Sequence, residues 1–363
     1  MHDALEDPRN LEHGAVLDAR EALAKFPQTI DDLRHAAAST VTALAATCRD
    51  IAALIAAGPF VGDFAARQRH GVGGDFRTEF DLRANDLLVN ALARTQVAAV
   101  VSEEMDAPLP LSPGAPINVA LDPIDGSSNI EANVSIGTIF SLLPAPAGSS
   151  GGEPAAFLRA GREQLAAGYV IYGPQTVLAL TLGAGTDLFT LDPARGQFVR
   201  TRANVRVPPQ AREFAINASN YRHWDIPMQT WFNDCLAGAD GPRAENFNMR
   251  WIASMVAEAH RILIRGGVYL YPGDARQGYR NGRLRLIYEA NPIALLMEQA
   301  GGRGSTGRER ILDRVPRLLH DRVPLVFGAR DEVKLIERYH LGNAPKGETS
   351  PLFGQRGLFV REA

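Results

Sequence analysis

Apolar side chains recur at helical spacing in the first part of the chain. Between Leu33 and Ile55 they fall three or four residues apart, which predicts a long amphipathic helix whose apolar stripe faces a core. Thr29, with an acid three residues later, is typical of a helix N-cap just before it. A second helix is predicted over Glu79–Arg94. Between the two helices, over residues 58–74, the pattern is lost and glycines accumulate, which predicts a mobile loop.

Short apolar runs predict strands after the second helix. They cover Val97–Ser102, Ile117–Leu121 and Val134–Leu142. From Gly168 to Arg200, shorter alternating runs broken by Gly and Asp favour antiparallel strands. The segment Pro144–Gly152, rich in Pro, Gly and Ser, indicates a surface insertion.

The second half of the chain alternates helix and strand. A helix is predicted around Arg250–Ile264, followed by a strand over Gly267–Pro272. A further strand over Leu284–Tyr288 leads into a helix that begins with Asn291 as its N-cap and ends before Gly301. Asn as the N-cap, Pro directly after it and Gly past the last turn are the usual residues at these positions. The alternation agrees with a layered α/β fold without choosing its topology.

Length and composition indicate a globular protein of two domains. At about 150 residues per domain, 363 residues predict two. We place the boundary near Pro208-Pro209. The N-terminal domain, 1–208, then holds the loop 58–74 and most of the candidate acids, the C-terminal domain spans 209–345, and a tail spans 346–363. The composition, 45% hydrophobic and 22% charged, is ordinary for a globular protein with sizeable cores.

Charge, hydropathy and cysteine content exclude several classes of partner. The net charge of -3 provides no electrostatic case for a nucleic acid or an anionic membrane. The apolar stretch Val41–Ala57 is interrupted by Arg49 and Asp50, so no membrane span is predicted. The first residues are polar and acidic, without the apolar core of a signal peptide. Cys48 and Cys235 form no metal or redox spacing, which indicates reduced, buried thiols in a cytoplasmic protein.

The segment Asp122–Ser128 is the strongest chemical signal. Asp122 and Asp125 flank a proline at the end of a predicted strand and run into Gly-Ser-Ser. Carboxylate oxygens suit Mg²⁺, and the backbone N–H groups and hydroxyls of Gly-Ser-Ser suit an anion. Asp-Pro or Asp-Gly alone is usually only a turn, but the combined string is far less expected by accident. It predicts metal-assisted phosphate chemistry.

Further acids follow other predicted strands. Glu103 and Glu104 come after Val97–Ser102, and Glu289 comes after Leu284–Tyr288. Taken singly, each could be an ordinary solvated acid. If the strands share a sheet edge the carboxylates converge, and two of them about 4 Å apart repel by roughly 4 kcal/mol at an effective dielectric of 20. Two or more Mg²⁺ ions would relieve that repulsion.

Four segments together resemble class I fructose-1,6-bisphosphatase: Val101–Glu104, Leu121–Ile130, Leu284–Pro292 and Glu298–Gly302. The second is also shared by the wider superfamily of inositol monophosphatases. Those relatives usually carry a Trp-Asp-x-Ala motif late in the chain, which is not found here. The resemblance extends from about Asp31 to His340. It implies an αβαβα layered sandwich, the sugar-phosphatase fold, assembled as a homo-oligomer, either a dimer or a tetramer.

The resemblance also implies roles for individual residues. The metal ligands would be Glu103, Asp122, Asp125, Glu289 and the carbonyl of Ile124. Catalysis would be direct in-line attack of water on the 1-phosphate, without a phosphoenzyme. Glu104 and Asp81 would polarise that water, and Asp75 would support them through Arg285.

Two phosphate sites and a sugar site are implied as well. The departing phosphate would be held by Gly126, Ser127 and Ser128, with Arg285 adding positive charge. The second phosphate would be bound by Asn217, Tyr221, Arg250 and Tyr271, with Arg250 reaching in from a neighbouring subunit. The sugar would be contacted by Met255 and Arg283. Taken alone, each of these residues has an ordinary structural explanation.

Departures from the animal enzymes bear on specificity and regulation. Trp251 stands where a tyrosine is usual, and Arg283 where a lysine is usual. Pro116 and Ile117 replace a Lys-Tyr pair that binds the inhibitor AMP, so weak or absent AMP inhibition is predicted.

The leading hypothesis for the activity is hydrolysis of fructose 1,6-bisphosphate to fructose 6-phosphate in gluconeogenesis or Calvin-type metabolism. Three alternatives stay open. They are action on sedoheptulose 1,7-bisphosphate as well, an inositol-phosphate or nucleotide 3′-phosphatase, and a non-catalytic sugar-phosphate- or metal-binding protein on the same fold.

Overall fold

The computed structural model describes residues 31–62, 67–69, 76–148 and 151–342. The expected N-cap Thr29, the predicted catalytic residue Asp75 and the tail 346–363 lie outside these residues. Within the predicted loop 58–74, the described parts form a 3₁₀ turn at Gly58–Phe60 and a strand, β1 (Arg67–Arg69), which pairs with β2 (Phe76–Thr78). The mobility of this loop stays a prediction.

Two helices form the first layer, α1 (Asp31–Ala57) and α2 (Glu79–Leu92). By length and composition alone, the segment His35–Phe60 could cross a membrane, with a mean hydropathy of 1.5. Its apolar side chains Val41 and Leu44, however, are buried against α2 and the large sheet. The helix therefore buries one face against the rest of the protein, as the apolar stripe of the sequence predicts.

The second layer is an eight-stranded sheet in the order β10-β9-β8-β7-β6-β5-β3-β4. Its strands are β3 (Val97–Ser102), β4 (Leu109–Pro110), β5 (Ile117–Asp125), β6 (Ile136–Pro144), β7 (Ala166–Tyr172), β8 (Thr176–Thr181), β9 (Thr186–Asp192) and β10 (Gln197–Arg202). Only β3 and β5 pair in parallel within this sheet. The antiparallel strands predicted between Gly168 and Arg200 are thus confirmed.

A smaller sheet forms the fourth layer, in the order β12-β11-β13-β17-β15. Its strands are β11 (Glu213–Ile216), β12 (Asn248–Met249), β13 (Val268–Tyr271), β15 (Arg303–Ser305) and β17 (Leu325–Gly328). A separate pair joins β14 (Leu284–Arg285) to β16 (Arg322–Val323). The remaining helices are α3 (Ile226–Leu236), α4 (Met255–Arg265), α5 (Asn291–Gln299) and α6 (Arg330–His340).

Alternation along the strands produces the layers, because successive side chains point to opposite faces. In β5, Val119 packs toward α1 and α2, and Ala120 faces the other side. A second core lies between the two sheets and includes α4 and α5, with Tyr169 from the large sheet and Phe327 from the small one. A third core packs α3 and α6 on the far face of the small sheet, around Trp231. The predicted αβαβα sandwich is confirmed, whereas the domain boundary at residue 208 stays a prediction.

Three sequence predictions about elements are wrong. Leu284–Tyr288 is not one strand, because only Leu284–Arg285 pairs and residues 286–290 form a π-helical turn that runs into α5. Asn291 is therefore the first residue of α5 rather than its N-cap. The helix predicted from Arg250 begins at Met255, where the Ser254 hydroxyl accepts a hydrogen bond from the N–H of Ala257.

Candidate active site

Parallel pairing of β3 and β5 brings the first acids together. Ser102 lies opposite Leu121, and the N–H of Glu103 donates to the Leu121 carbonyl at 3.0 Å. Glu103 therefore emerges beside Asp122. Contrary to the sequence prediction, β5 does not end at Leu121. It continues through Asp125, so both aspartates belong to the strand itself.

The π-helical turn brings in the third acid. It reverses the chain after β14 so that the backbone N–H of Arg285 donates a hydrogen bond to the carboxylate of Glu289. The ligand oxygens of Glu103, Asp122 and Glu289 all lie within 4.8 Å of one another. The acids converge as the sequence analysis expected, but Glu289 does so from a turn rather than from a strand end.

Asp125 is fixed by the start of α4. The N–H of Val256 donates to its carboxylate at 2.9 Å, in the first turn of the helix, where backbone N–H groups lack partners within the helix. Gly137 lies opposite Asp125 on β6, and a Cβ there would be 2.4 Å from the carbonyl oxygen of Val170 on β7 and 2.8 Å from Cγ2 of Val256. Glycine at this position thus allows α4 to lie close enough to reach Asp125.

Burial and mutual repulsion shift the pKa values of these carboxyl groups upward. Burial raises the pKa of Asp122 well above its ordinary value, and the charges of Glu103, Asp125 and Glu289 add to the shift. Burial likewise raises the pKa of Glu289 and takes that of Asp125 to about 7. The cation-free site therefore retains protons that a bound cation would displace.

The donor set fits a hard divalent cation. Its three converging groups are all carboxylates, two of them buried, which matches the oxygen-ligand preference of Mg²⁺. Arg285 is also buried, with a guanidinium nitrogen 3.6 Å from a carboxylate oxygen of Glu103. Ile124 is buried between the two aspartates of β5, and the ligand role of its carbonyl stays a prediction.

The predicted water-polarising acids lie in different settings. Asp81 is buried in the first turn of α2, where it forms a capping box with Thr78. The N–H of Thr78 donates to Asp81 at 2.7 Å, and the N–H of Asp81 donates to the Thr78 hydroxyl at 3.1 Å. Glu104 is half-buried, follows Glu103 directly and contributes its charge to the shift at Asp122. The catalytic roles of both acids stay predictions.

The loop after β5, which was predicted to hold the departing phosphate, turns at a left-handed glycine. Gly126 has a φ of 76°, a left-handed conformation that disfavours side chains, and it precedes a 3₁₀ turn over Ser127–Asn129. The side-chain amide of Asn129 donates to the carbonyl of Ala253 at 2.7 Å, which ties this loop to the segment before α4. The sequence analysis did not single out Asn129, although it follows the Gly-Ser-Ser string directly.

The predicted second-phosphate residues are only partly brought together. Asn217 and Tyr271 line one small pocket, together with Asn220. Tyr221 packs instead against the rings of Trp224 and, in α3, Phe232, and its hydroxyl accepts a hydrogen bond from Asn233 at 2.8 Å. The sequence analysis did not name Asn220, which stands next to Tyr221 in the chain. The phosphate-binding role of Tyr221 stays a prediction.

Arg250 lies on an exposed segment that buried charges hold in place. Its side chain is 48% exposed and is 3.5 Å from Glu213. The buried Glu258 accepts a hydrogen bond from the N–H of Ile252 at 2.8 Å and pairs with Arg261, which also contacts Glu213. Exposure leaves the Arg250 side chain accessible to a second subunit.

The two predicted sugar-contacting residues occupy opposite environments. Met255 is the first residue of α4 and is buried beside Val256. Arg283 is exposed on the loop before β14 and donates a hydrogen bond to the hydroxyl of Tyr279 at 3.0 Å. Trp251, the unusual aromatic residue, stacks on Tyr269 with ring centroids 6.0 Å apart.

Comparison with known proteins shows the family of the chain. The family model of the fructose-1,6-bisphosphatase N-terminal domain matches residues 21–203, and that of the C-terminal domain matches residues 207–341. The chain belongs to the class 1 fructose-1,6-bisphosphatase family.

Individual members of this family are similar over nearly the whole chain. A class 1 fructose-1,6-bisphosphatase of Xanthobacter autotrophicus is 54% identical over 330 residues, 91% of this chain and 89% of its own. One of Rhizobium meliloti is 50% identical over 349 residues, 95% of this chain and 99% of its own. The holo crystal structure of Leishmania major fructose-1,6-bisphosphatase superposes with a TM-score of 0.82 at 30% identity. The superposition covers 90% of this chain and 99% of the Leishmania major chain. The family predicted from the sequence motifs is confirmed.

Proposed function

We propose that this protein is a phosphoric monoester hydrolase that removes the 1-phosphate of fructose 1,6-bisphosphate, with Mg²⁺ as cofactor. The observation that carries the proposal is the convergence of Glu103, Asp122 and Glu289 in a chain of this family. Such a cluster of buried acids is stable only when protons or cations balance its charge.

The cation ligands would be Glu103, Asp122, Asp125 and Glu289, with the Ile124 carbonyl as a further oxygen donor. When bound, the cations, two or more per subunit, would polarise a phosphoryl oxygen and lower the pKa of a water molecule. Asp125 is anchored to α4 and Glu289 to the Arg285 backbone, so these two carboxylates would hold the cations in place before substrate arrives.

Protein groups around the cluster would orient the phosphate and the water. The left-handed turn at Gly126 exposes the backbone N–H groups of the following residues to a phosphate. Arg285 lies beside Glu103 and would offset negative charge developing on the leaving oxygen. Glu104 and Asp81, supported by Asp75, would accept hydrogen bonds from the attacking water and orient it for in-line attack.

The second phosphate would distinguish a bisphosphate from a monophosphate. Asn217 and Tyr271 share a pocket, and an exposed arginine on a neighbouring subunit would complete it. We therefore propose a homo-oligomer, dimeric or tetrameric, that acts in the cytoplasm in gluconeogenesis or Calvin-type metabolism. Sedoheptulose 1,7-bisphosphate is the second candidate substrate, because two phosphate sites could also flank a longer sugar.

A phosphate-release assay tests the activity. Purified protein is assayed with and without Mg²⁺ on fructose 1,6-bisphosphate, sedoheptulose 1,7-bisphosphate and fructose 6-phosphate. We expect Mg²⁺-dependent release from the first, none from the monophosphate, and loss of release in Asp122→Ala. No release from either bisphosphate would reject the proposal and favour a non-catalytic binding protein.

Mixing two inactive variants tests the shared site. Asp122→Ala removes a ligand within one subunit, whereas Arg250→Ala removes the side chain proposed to reach the neighbour. Mixed oligomers would contain sites with an intact Asp122 and a partner's intact arginine, so we expect mixing to restore part of the activity. If the mixture stays inactive while the subunits demonstrably exchange, Arg250 does not act across an interface.

A further inference from the structure

Tyr279 contacts two arginines in the loop between β13 and β14. The guanidinium carbon of Arg276 lies 4.3 Å from the centroid of the Tyr279 ring, and that of Arg283 lies 5.0 Å away. Arg283 also donates a hydrogen bond to the Tyr279 hydroxyl at 3.0 Å. One aromatic side chain thus contacts Arg283, the expected sugar-contacting residue, through both its ring and its hydroxyl.

The two arginines are held in different ways. The guanidinium of Arg276 donates to the carboxylate of buried Asp274, and its backbone N–H donates to the same group at 3.0 Å. These hydrogen bonds hold the pKa of Asp274 below its ordinary value. Asp274 therefore both fixes Arg276 and offsets its charge. Arg283 contacts Tyr279 instead, through the aromatic ring and the hydroxyl.

Backbone hydrogen bonds fix the position of Tyr279 within the loop. Its carbonyl accepts from the N–H of Asp274 at 3.1 Å and from the N–H of Gly282 at 3.0 Å. Gly282 has a φ of 75°, and a Cβ there would lie 2.3 Å from the carbonyl oxygen of Val323. Only glycine allows this approach, so the loop is closely packed against β16.

This loop lies next to the pocket that contains Asn217. Tyr271 lines that pocket and is the last residue of β13, from which the loop begins. Burial raises the pKa of Tyr271, while the positive charge of Arg283 opposes the shift. The charge supported by Tyr279 therefore acts on the same region as the polar groups of the pocket.

We infer that Tyr279 is a positioning residue that fixes Arg283 toward the sugar and distal phosphate of a sugar bisphosphate. The inference rests on the proposed function. A free arginine side chain carries about 2 kcal/mol of rotamer entropy, which would otherwise be lost on binding substrate. Fixing it beforehand strengthens binding in the ground state and the transition state alike, so the effect falls on KM rather than on kcat.

A double-mutant cycle tests the inference. Tyr279→Phe removes the hydroxyl acceptor and keeps the ring. We expect it to raise KM for fructose 1,6-bisphosphate about fivefold, the effect of one hydrogen bond, with kcat and Mg²⁺ activation unchanged. In an Arg283→Met background the same change should alter KM by less than about twofold, because its partner is already gone.

Arg280→Gln is the matched control. Arg280 is an exposed arginine next to Tyr279 in the chain, and its loss should change KM by no more than about twofold. Equal effects of Tyr279→Phe in both backgrounds, an unchanged KM, or an equal rise in the control would overturn the inference. Wild-type protein that releases no phosphate would instead reject the proposed function, so the two failures are distinguishable.

Discussion

Neutralising Asp122 should stabilise the cation-free protein while abolishing its activity. Asp122→Asn keeps the side-chain size and removes one charge from the cluster of three carboxylates. The ligand oxygens of these groups lie within 4.8 Å of one another. At that separation and an effective dielectric of 20, each ionised pair repels by about 3.5 kcal/mol.

Protonation relieves part of this repulsion in the wild type, so the expected gain is smaller. We expect the variant to be more stable by about 1–3 kcal/mol without cation. The sign of the pH dependence follows from the raised pKa of Asp122. Between its ordinary value of 3.8 and its higher value in the folded protein, the folded state binds more protons than the unfolded state. Stability of the cation-free wild type therefore falls as pH rises, and the variant's advantage grows.

Thermal unfolding with EDTA or with Mg²⁺, at pH 6 and pH 8, measures both effects. Mg²⁺ should raise the wild-type midpoint, since a ligand at 100 times its Kd adds about 2.7 kcal/mol, and should raise that of the variant much less. Glu131→Gln, the loss of an exposed acid near the same loop, is the control and should change little. A variant less stable than wild type in EDTA, or stabilised equally by Mg²⁺, would refute the reasoning.

Three further outcomes are expected. Asp81→Ala should lose both activity and about 1 kcal/mol of stability, whereas Thr78→Val should lose only the stability, because it breaks the helix cap but keeps the carboxylate. Comparing melting curves with kcat separates the two roles, and a fully active Asp81→Ala would exclude a catalytic role for Asp81. Gly126→Ala should lower the free energy of unfolding by about 1–2 kcal/mol, because a φ of 76° is strained for any side chain. It should also weaken inhibition by phosphate, and an unchanged inhibition constant would contradict the phosphate-binding role of this loop. Micromolar AMP should leave activity unchanged, because Pro116 and Ile117 provide no ammonium or hydroxyl group to bind it. Strong inhibition at that concentration would refute the prediction.

The sequence predicted individual helices and strands because local patterns determine them, whereas the order of the layers came from the family resemblance. The stripe that includes Val41 and Leu44, and the apolar runs of β3 and β5, reflect burial directly. It also predicted that acids after separate apolar runs would converge, which the parallel pairing of β3 and β5 achieves. The pairing itself depends on distant residues, so the sequence could not specify it.

The failures have physical causes. Leu286, Ile287 and Tyr288 are all buried, and a fully buried run has no periodicity that separates a strand from a tight helical turn. The side chains that line the pocket beside Asn217 depend on the exact shape of a 3₁₀ turn, which composition does not encode. The support that Tyr279 provides for Arg283 depends on a loop packed against β16, a contact between segments far apart in the chain.

Because Gly137 has no side chain, the hydrogen bond from Val256 to Asp125 depends on the spacing between α4 and the large sheet. Val256 can reach Asp125 only while α4 lies directly on the large sheet. Heat that loosens this packing would withdraw the Val256 N–H from the aspartate while both sheets keep their hydrogen bonds. Inactivation on mild heating should then precede the loss of secondary structure and reverse on cooling. The fall in activity would thus measure how far α4 has separated from the large sheet.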